Sequence, residues 1–287
     1  MTRPEKAPSI TGRISRQIAV LMYHGVHGRG SGPLNAREPV DRVYGLPVRL
    51  FSLHLEELRI RQAISVFHTD IDESGVDRES VPVCLTFDDG LASHADTVMP
   101  MLVDRELKGM FFVNTATLGK PGYLDALALR EMQAAGMSIQ SHGHSHCYIS
   151  ALPPARQHEQ LRRSKDTLEQ ILGQPVTAFA APGGRVSSMT AALAMETGYR
   201  TVFGSRPGYW NAQTEASIAP RFPVRASTTA ATLGRWVDRR TSAVFAAQVR
   251  HSILQTAKNL VGNAAYDRVR KTLIERDFPS DGHRPLR

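Results

Sequence analysis

Short apolar runs that alternate with longer amphipathic stretches are the feature of this sequence that most restricts its fold. Residues 18–22, 83–87, 110–113, 137–140, 176–180, 201–203 and 222–224 are the runs predicted as strands. The stretches between them have helical periodicity and predict helices at 51–64, 95–107, 124–135, 154–172 and 188–197. Because strands alternate with helices, the sequence predicts an α/β fold with a mostly parallel sheet, either open or closed into a barrel.

The charge of the chain is concentrated near its C-terminus. The sequence has 35 Lys+Arg and 27 Asp+Glu, a net charge of +8, and the segment from residue 235 onward alone carries +6. We expect one domain over residues 15–235, followed by a basic helical tail over 236–287. The apolar residues that recur at near-helical spacing in this tail are Phe245, Val249, Ile253, Ala257, Leu260, Val261, Val269 and Leu273. A tail of this kind either docks on the domain or lies on an anionic membrane.

Composition excludes several classes of protein. With 41% hydrophobic and 22% charged residues the chain is not a disordered one. No run approaches the roughly 18 apolar residues of a membrane span, and 18–22 is too short for a signal-peptide core. Cys84 and Cys147 are the only cysteines, so no disulfide framework is expected. We therefore expect a cytoplasmic protein, in solution or peripheral at the inner membrane.

Polar or glycine-rich clusters follow four of the predicted strands. The clusters are Tyr23-His24-Gly25, Asp88-Asp89-Gly90, the histidine-rich segment 141–146 and the turn 181–184. In parallel α/β folds the carboxyl ends of the strands share one edge, and ligands and catalytic groups gather there. We therefore expect the four clusters to converge in space.

The acidic and histidine clusters can supply metal ligands. Asp88 and Asp89 either form an ordinary turn, or place one carboxylate on a cation and the other beside a water molecule. His142 and His146 are four residues apart, so a helical turn or an extended chain brings both to one side, and only the extended chain adds His144. Two imidazoles with one carboxylate would form a metal site that leaves positions open for water and substrate.

The remaining candidates each have two interpretations. Cys147 is either a further ligand or an incidental buried thiol, and His24 is either a proton donor or a core histidine. The turn 182–184 either directs backbone N–H groups at a developing negative charge or simply joins a strand to a helix. Tyr209 and Trp210 either stack on a sugar ring or fill the core.

Three of these segments, taken in this order, resemble the polysaccharide deacetylases, which are the NodB-homology or carbohydrate esterase family 4 proteins. The segments are LTFDDG at 85–90, SHGHSH at 141–146 and FAAPGG at 179–184, and the similarity covers roughly residues 18–224. The early segment LMYHGV at 21–26 is similar to the circularly permuted branch, which acts on poly-N-acetylglucosamine-type polymers and has its catalytic histidine near the N-terminus.

The resemblance implies a fold and a set of site residues. The implied fold is a distorted (β/α)7 barrel of the polysaccharide deacetylase type, to which this chain adds C-terminal helices. One divalent metal ion is implied, zinc or alternatively cobalt, nickel or manganese. Its implied ligands are Asp89, His142 and His146. Asp88 is the implied general base, His24 the general acid, and the backbone N–H of Gly183 part of the oxyanion site.

The sequence departs from the family pattern near the base and the substrate. Ala180 stands where many members have an arginine that orients the base, and Arg221 or Arg225 is the expected replacement. No convincing aspartate–tryptophan fourth motif or Leu-x-His fifth motif is found. The residues predicted to contact substrate are Pro182, Tyr209, Trp210 and Arg221.

The sequence thus predicts a metal-dependent hydrolase that removes the N-acetyl group from an acetamido sugar in exopolysaccharide or glycolipid synthesis. The alternatives are a deformylase or O-acetyl esterase acting on a lipid-linked sugar, and a catalytically silent carbohydrate-binding module. The expected partners are an N-acetylated sugar or polysaccharide and, through the basic tail, an anionic membrane surface. Nucleic acid is not expected, because no zinc-finger or RNP-type aromatic pattern occurs.

Overall fold

A computed structural model of the protein describes residues 17–28, 43–67, 81–211 and 218–261, and a curled sheet of nine strands lies at its centre. The strands in chain order are β1 (Ile18–Tyr23), β2 (Val26–His27), β3 (Leu46–Pro47), β4 (Ala63–Ser65), β5 (Val81–Phe87), β6 (Met110–Val113), β7 (Ser138–Ser141), β8 (Ala178–Ala180), β9 (Thr201–Phe203), β10 (Tyr209–Trp210) and β11 (Phe222–Pro223). The order across the sheet is β10-β1-β5-β6-β7-β8-β9, with β4 beside β5 and β11 beside β1. Strands β2 and β3 pair separately.

Helices alternate with these strands, as the periodicity predicts. They are α1 (Val48–Ile60), α2 (Met99–Val103), α3 (Ala126–Ala134), α4 (Pro154–Leu172), α5 (Ser188–Glu196), α6 (Ala230–Val237) and α7 (Thr241–Val261). Three of them begin at capping side chains, since Asp125, Ser187 and Thr229 each accept a hydrogen bond from a backbone N–H three residues later. Helix α4 ends at Gly173, whose φ of 65° suits a left-handed cap.

The sheet curls until its two ends approach each other. Strands β1, β5, β6, β7, β8 and β9 run parallel to their neighbours in this order. Strand β11 lies parallel to β1, and Ala219 just before it is bridged to Phe203 of β9. The predicted α/β class and deacetylase-type distorted barrel are confirmed in this form, a curled and partly closed sheet surrounded by helices.

Side chains alternate along the strands and build two apolar layers. The outer layer joins the sheet to the helices, with Leu85 and Phe111 packed among Leu55, Leu129 and Leu161. The inner layer, formed by strand residues, includes Val20, Cys84, Met110, Phe112 and Ala178. Continuing this alternation past the strand ends puts residues 24, 88, 114 and 142 on the inner face, at the carboxyl edge of the sheet.

Two predicted helices differ from the structure in their extent. The helix predicted at 51–64 is α1 at Val48–Ile60, because residues 63–65 pair with β5 as a strand instead. The helix predicted at 95–107 is a π-helical turn over His94–Val98 followed by the short α2. Pro100 in the first turn of α2 lacks the N–H that a continuous helix would need there.

The predicted domain boundary at residue 235 falls inside α6. Trp236 and Val237, beyond that boundary, are buried in the core, so the packed unit continues past it. Helix α7 packs Ala243, Val244 and Ala247 against the domain. Its exposed apolar residues are Phe245, Val249 and Ile253. Residues 262–287 of the predicted tail lie outside the described residues, and no described helix is long and apolar enough to cross a membrane.

Candidate active site

Asp89, His142 and His146 meet at the carboxyl edge of the sheet. The Oδ1 atom of Asp89 lies 3.3 Å from Nε2 of His142 and 3.0 Å from Nε2 of His146. The potential ligand atoms of the three residues all lie within 4.8 Å of one another. Two of the four clusters, the acidic one and the histidine-rich one, therefore meet at this edge.

The backbone takes unusual conformations to bring these residues together. Asp89, in the turn after β5, has a φ of 80°, and His146 has a φ of 52°. Non-glycine residues in this region are strained, and such strain is concentrated at functional sites. Between the two histidines, Gly143 has a φ of 79°, and a Cβ there would lie 2.9 Å from Cδ1 of Ile149. The turn from His142 to His146 therefore needs a glycine.

The hydrogen bonding of His142 orients it as a ligand. Its Nδ1 lies 2.8 Å from the carbonyl oxygen of Ala180, which can only accept, so Nδ1 carries the proton. In the neutral ring Nε2 is then the nitrogen without a proton, and it faces Asp89, an arrangement typical of metal-binding histidines. Oδ1 of Asp89 is buried and accepts no hydrogen bond despite the two nearby imidazoles. This set of donors fits a divalent cation.

Buried polar atoms without hydrogen-bond partners are concentrated around this site. Among the described residues such side-chain atoms are His24 Nδ1, Asp89 Oδ1, Ser93 Oγ, His94 Nδ1, and both amide atoms of Asn114. All belong to the ends of β1 and β6 or to the segment just after β5. Leaving a buried polar group unpaired costs about 1–3 kcal/mol, so their grouping indicates a site that takes a polar ligand.

Asp88 points inward beside the cluster and is held by Arg221. The guanidinium donates from Nη1 to Oδ1 at 2.7 Å and from Nη2 to Oδ2 at 2.8 Å, while Nε donates to the carbonyl of Gly204 at 2.8 Å. Arg221 has no exposed surface. Burial alone would raise the pKa of Asp88, but the charge of Arg221, aided by His142 and by the two hydrogen bonds, lowers it. Asp88 is therefore a carboxylate at neutral pH.

The pKa of Asp89 is likewise set by its neighbours. Burial would raise the pKa of this carboxyl group, but the imidazoles of His142 and His146 hold it well below its usual range. Asp89 is therefore ionised when it faces the two histidines, as a metal ligand must be.

His24 lies directly beside Asp88. The parallel register pairs Tyr23 of β1 with Phe87 of β5, so the next residues of the two strands are neighbours. The ring of His24 stacks on Tyr44 with centroids 4.5 Å apart. Burial lowers the pKa of His24, while the negative charges of Asp89 and Asp88 oppose that change.

His94 holds the backbone of His24 from behind. Its Nε2 lies 3.1 Å from the carbonyl oxygen of His24, so Nε2 must carry the donated proton. The ring is fully buried and packs against Phe87 and Phe111. Sequence reasoning missed His94 and Tyr44, because neither belongs to a motif and each acts across elements that are distant in the chain.

The protonation of His94 gives a testable dependence of stability on pH. Burial lowers the pKa of His94 to about 4, against 6.5 in an unfolded chain. The unfolded state then binds the extra proton first, so this stability is full above pH 6.5 and is lost as the pH falls toward 4. Between pH 8 and pH 5 the wild type should lose about 2 kcal/mol more free energy of unfolding than His94→Gln, measured by urea denaturation. Equal losses in the two proteins would contradict this assignment.

The turn after β8 carries the predicted oxyanion donor. Gly183 is exposed and has a φ of 65°, and a Cβ there would lie 2.5 Å from the ring of Tyr148. Glycine is therefore required where the turn passes under this ring. The guanidinium of Arg185 stacks over the ring of Tyr148, at 3.8 Å from the ring centroid.

The four residues predicted to contact substrate are buried or partly buried. The ring of Pro182 is buried, and Arg221 is fully buried against Asp88. Trp210 is 4% exposed and pairs with Ile18, at the opposite end of β1 from His24. Tyr209 donates its hydroxyl to the carbonyl of Trp236. Tyr209 and Trp210 form a short strand instead of the predicted loop and fill the core.

Two further candidates lie outside the ligand cluster. Nδ1 of His144 is 2.8 Å from Oγ1 of Thr115, and the residue is not among those that converge on Asp89. Cys147 is partly buried and packs against the hydrophobic core. Of the alternatives for the histidine segment, the structure therefore has the one that pairs His142 with His146 alone.

Comparison with known sequences agrees with these motifs. Residues 75–202 match the family model described as polysaccharide deacetylase. The chain is 29% identical over 126 residues to the YxkH protein of Bacillus subtilis (strain 168), which is named for this family, and the match covers 44% of this chain and 45% of YxkH. It is 27% identical over 118 residues to a chitin deacetylase of Pestalotiopsis sp., covering 41% and 39% of the two chains. This chain thus matches less than half the length of these curated relatives.

Comparison with solved structures agrees with the fold. The deacetylase PplD of Streptococcus pyogenes, solved in complex with acetate, superposes with a TM-score of 0.66 and 23% sequence identity, over 76% of this chain and 96% of PplD. At this identity the similarity establishes the fold alone. Closeness to the circularly permuted branch stays a prediction. The motifs and the family match show that residues 75–202 belong to a polysaccharide deacetylase domain, and the curled sheet agrees with that fold.

Proposed function

We propose that this protein is a metal-dependent hydrolase that removes the N-acetyl group from an acetamido sugar of a polysaccharide or glycolipid. The observation that carries the proposal is the placement of Asp88, fixed by Arg221, directly beside the converging group Asp89, His142 and His146. The names of the relatives, polysaccharide deacetylase and chitin deacetylase, support the same reaction class.

The three converging residues would hold one divalent cation. When bound, such an ion supplies a Lewis acid that makes a water molecule more acidic and polarises an acyl carbonyl. Two neutral imidazoles and one carboxylate suit zinc, and cobalt, nickel or manganese would accept the same donors. Oδ1 of Asp89 and Nε2 of His142 face each other at 3.3 Å, and these two atoms would bind the ion.

Asp88 and His24 would move the protons of the reaction. Asp88, ionised and held in place by Arg221, would take the proton of the attacking water. His24, on the neighbouring strand, would in its protonated form donate to the departing amine, which is otherwise a poor leaving group. The two residues lie side by side, so the acid and the base would act at the same face of the substrate.

Backbone and amide donors would orient the acyl group. The N–H of Gly183, on its exposed turn, would donate to the oxygen that develops negative charge, and losing one such donor costs about 3 kcal/mol. The buried and unpaired amide of Asn114 lies at the same edge and would hydrogen-bond the acetamido group. The stacked pair of Tyr148 and Arg185 forms the rim over which a sugar would enter.

Acetate release tests this function. Purified full-length protein loaded with zinc should bind about one ion and release acetate from N-acetylglucosamine oligomers. Chelation should stop the release, and added zinc should restore it. His142→Ala should lose both the ion and the activity, since it removes a ligand, whereas His158→Ala, on the exterior helix α4, should keep both.

The same assay separates the alternatives that the sequence leaves open. Formate in place of acetate, or acetate from O-acetylated sugars alone, would identify a deformylase or an esterase. Sugar binding with one bound ion and no acyl release from any of these substrates would identify the silent binding module and overturn the proposal.

A further inference from the structure

A half-open cavity, with a volume of about 310 Å³, lies beside the barrel between the segment after β11, α6 and α7. Its polar lining includes three arginines, Arg225, Arg235 and Arg250, together with the hydroxyls of Ser227 and Thr232. None of the three candidate metal ligands lines it. The cavity is therefore a separate site, and the proposed hydrolysis does not use it.

The sequence of α7 explains why this space stays open. Ala243, Ala246, Ala247 and Arg250 line the cavity and recur at the three- and four-residue spacing of one helix face. The alanines are too short to fill the gap between α7 and the ring of Trp236 at the other wall. The first charged residue of this helix face, Arg250, borders the gap.

Positive charge in this cavity is not neutralised by the described part of the chain. No described carboxylate lies within 4.0 Å of Arg225, Arg235 or Arg250. Asp238, at the end of α6, pairs with Arg61 instead. Burial and the charge of Arg225 lower the pKa of Arg250, which shows that the two guanidinium groups repel each other. An anion between them would relieve that repulsion.

The cavity adjoins the proposed catalytic histidine through one aromatic ring. His24 stacks on Tyr44 at 4.5 Å between centroids, and the guanidinium of Arg225 lies 5.6 Å from the centroid of the same ring. Tyr44 therefore contacts both the proposed acid and an arginine that lines the cavity.

We propose that this cavity binds a phosphate group, as a monoester or a diester. Guanidinium groups match phosphate oxygens with pairs of parallel hydrogen bonds, and hydroxyls such as those of Ser227 and Thr232 supply the remaining donors. The same phosphate chemistry is found in a soluble phosphate compound and in the headgroup of an anionic lipid. The proposal does not depend on the deacetylation, so binding and not activity tests it.

Calorimetric titration of the full-length protein with inorganic phosphate and with pyrophosphate tests the proposal directly. The variant Arg225→Gln/Arg250→Gln should weaken binding about tenfold or more, because it removes charge-assisted hydrogen bonds. The control Arg163→Gln/Arg200→Gln makes the same change in net charge at two arginines that do not line the cavity, and it should bind like the wild type. Equal weakening in both variants would mean nonspecific attraction and would overturn the proposal.

A second variant tests the cavity without removing an arginine, so the test does not depend on the folding of the first variant. Ala246→Glu leaves every arginine in place and puts a carboxylate into the cavity, so it should compete with phosphate and weaken its binding similarly. Circular dichroism confirms that each variant is folded.

Vesicle sedimentation distinguishes the two sources of the phosphate. Binding to phosphatidylcholine vesicles that contain phosphatidylglycerol, lost in both cavity variants, would support a lipid headgroup. Pyrophosphate binding without such vesicle binding would support a soluble phosphate compound. If neither ligand depends on the cavity residues, the proposal is wrong.

Discussion

Replacing Asp88 by asparagine is expected to lower kcat for acetate release by about 10²–10⁴-fold. Asparagine has nearly the same shape but cannot take a proton from water. Oδ1 of Asp89 and the two imidazoles are untouched, so the variant should still bind about one zinc ion. Measuring acetate release and metal content on the same preparation separates loss of the base from loss of the ion.

The fold of this variant needs its own measurement, because the change leaves Arg221 buried without a counter-charge. Activity should therefore be compared at a temperature at which circular dichroism shows the variant to be folded. Asp104→Asn makes the same chemical change at an exposed position after α2 and should keep wild-type kcat. Turnover by Asp88→Asn as fast as by the wild type would rule out Asp88 as the base.

Arg221→Met is expected to lower the free energy of unfolding by about 3–5 kcal/mol. The substitution breaks a buried ion pair and removes the two hydrogen bonds that Arg221 donates to Asp88. The pKa of Asp88 should then rise, since burial is no longer opposed by the guanidinium charge. Denaturation in urea at neutral pH measures the loss of stability.

A double-mutant cycle shows whether the loss arises from the pair. Arg221→Met combined with Asp88→Asn should be less destabilised than the sum of the single variants, because neither buried charge remains. Arg162→Met breaks the exposed pair with Asp166 and should cost less than about 1 kcal/mol. A cost for Arg221→Met as small as that of Arg162→Met would show that the buried pair does not stabilise the fold.

The sequence alone could predict the sheet and the metal ligands because both follow from local patterns. Strands such as β6 are apolar at every position, since both of their faces are buried. The bounds of β6, α4 and β9 agree with the prediction residue for residue. The metal ligands could be predicted for a related reason, because each lies within five residues of the end of a strand.

Contacts between distant elements could not be predicted from the sequence. Arg221 and Arg225 were equally good partners for Asp88 on sequence grounds, and the structure separates them by position. Arg221 points inside the curl of the sheet, beside Thr86 and Asp88, whereas Arg225 lies over Tyr44. Strand β10 was not predicted, because a run of two aromatic residues does not indicate a strand and only the pairing with β1 makes it one.

The ion pair between Asp88 and Arg221 joins residues 133 positions apart, and the proposed acid comes from the opposite terminus of the barrel. A fragment limited to residues 75–202, the region that matches the family, would hold every candidate metal ligand but neither His24 nor Arg221. Such a fragment would lack the proposed acid and the side chain that holds the proposed base. The chain would therefore become able to hydrolyse a substrate only after its N-terminal strand and its last strand have both joined the sheet.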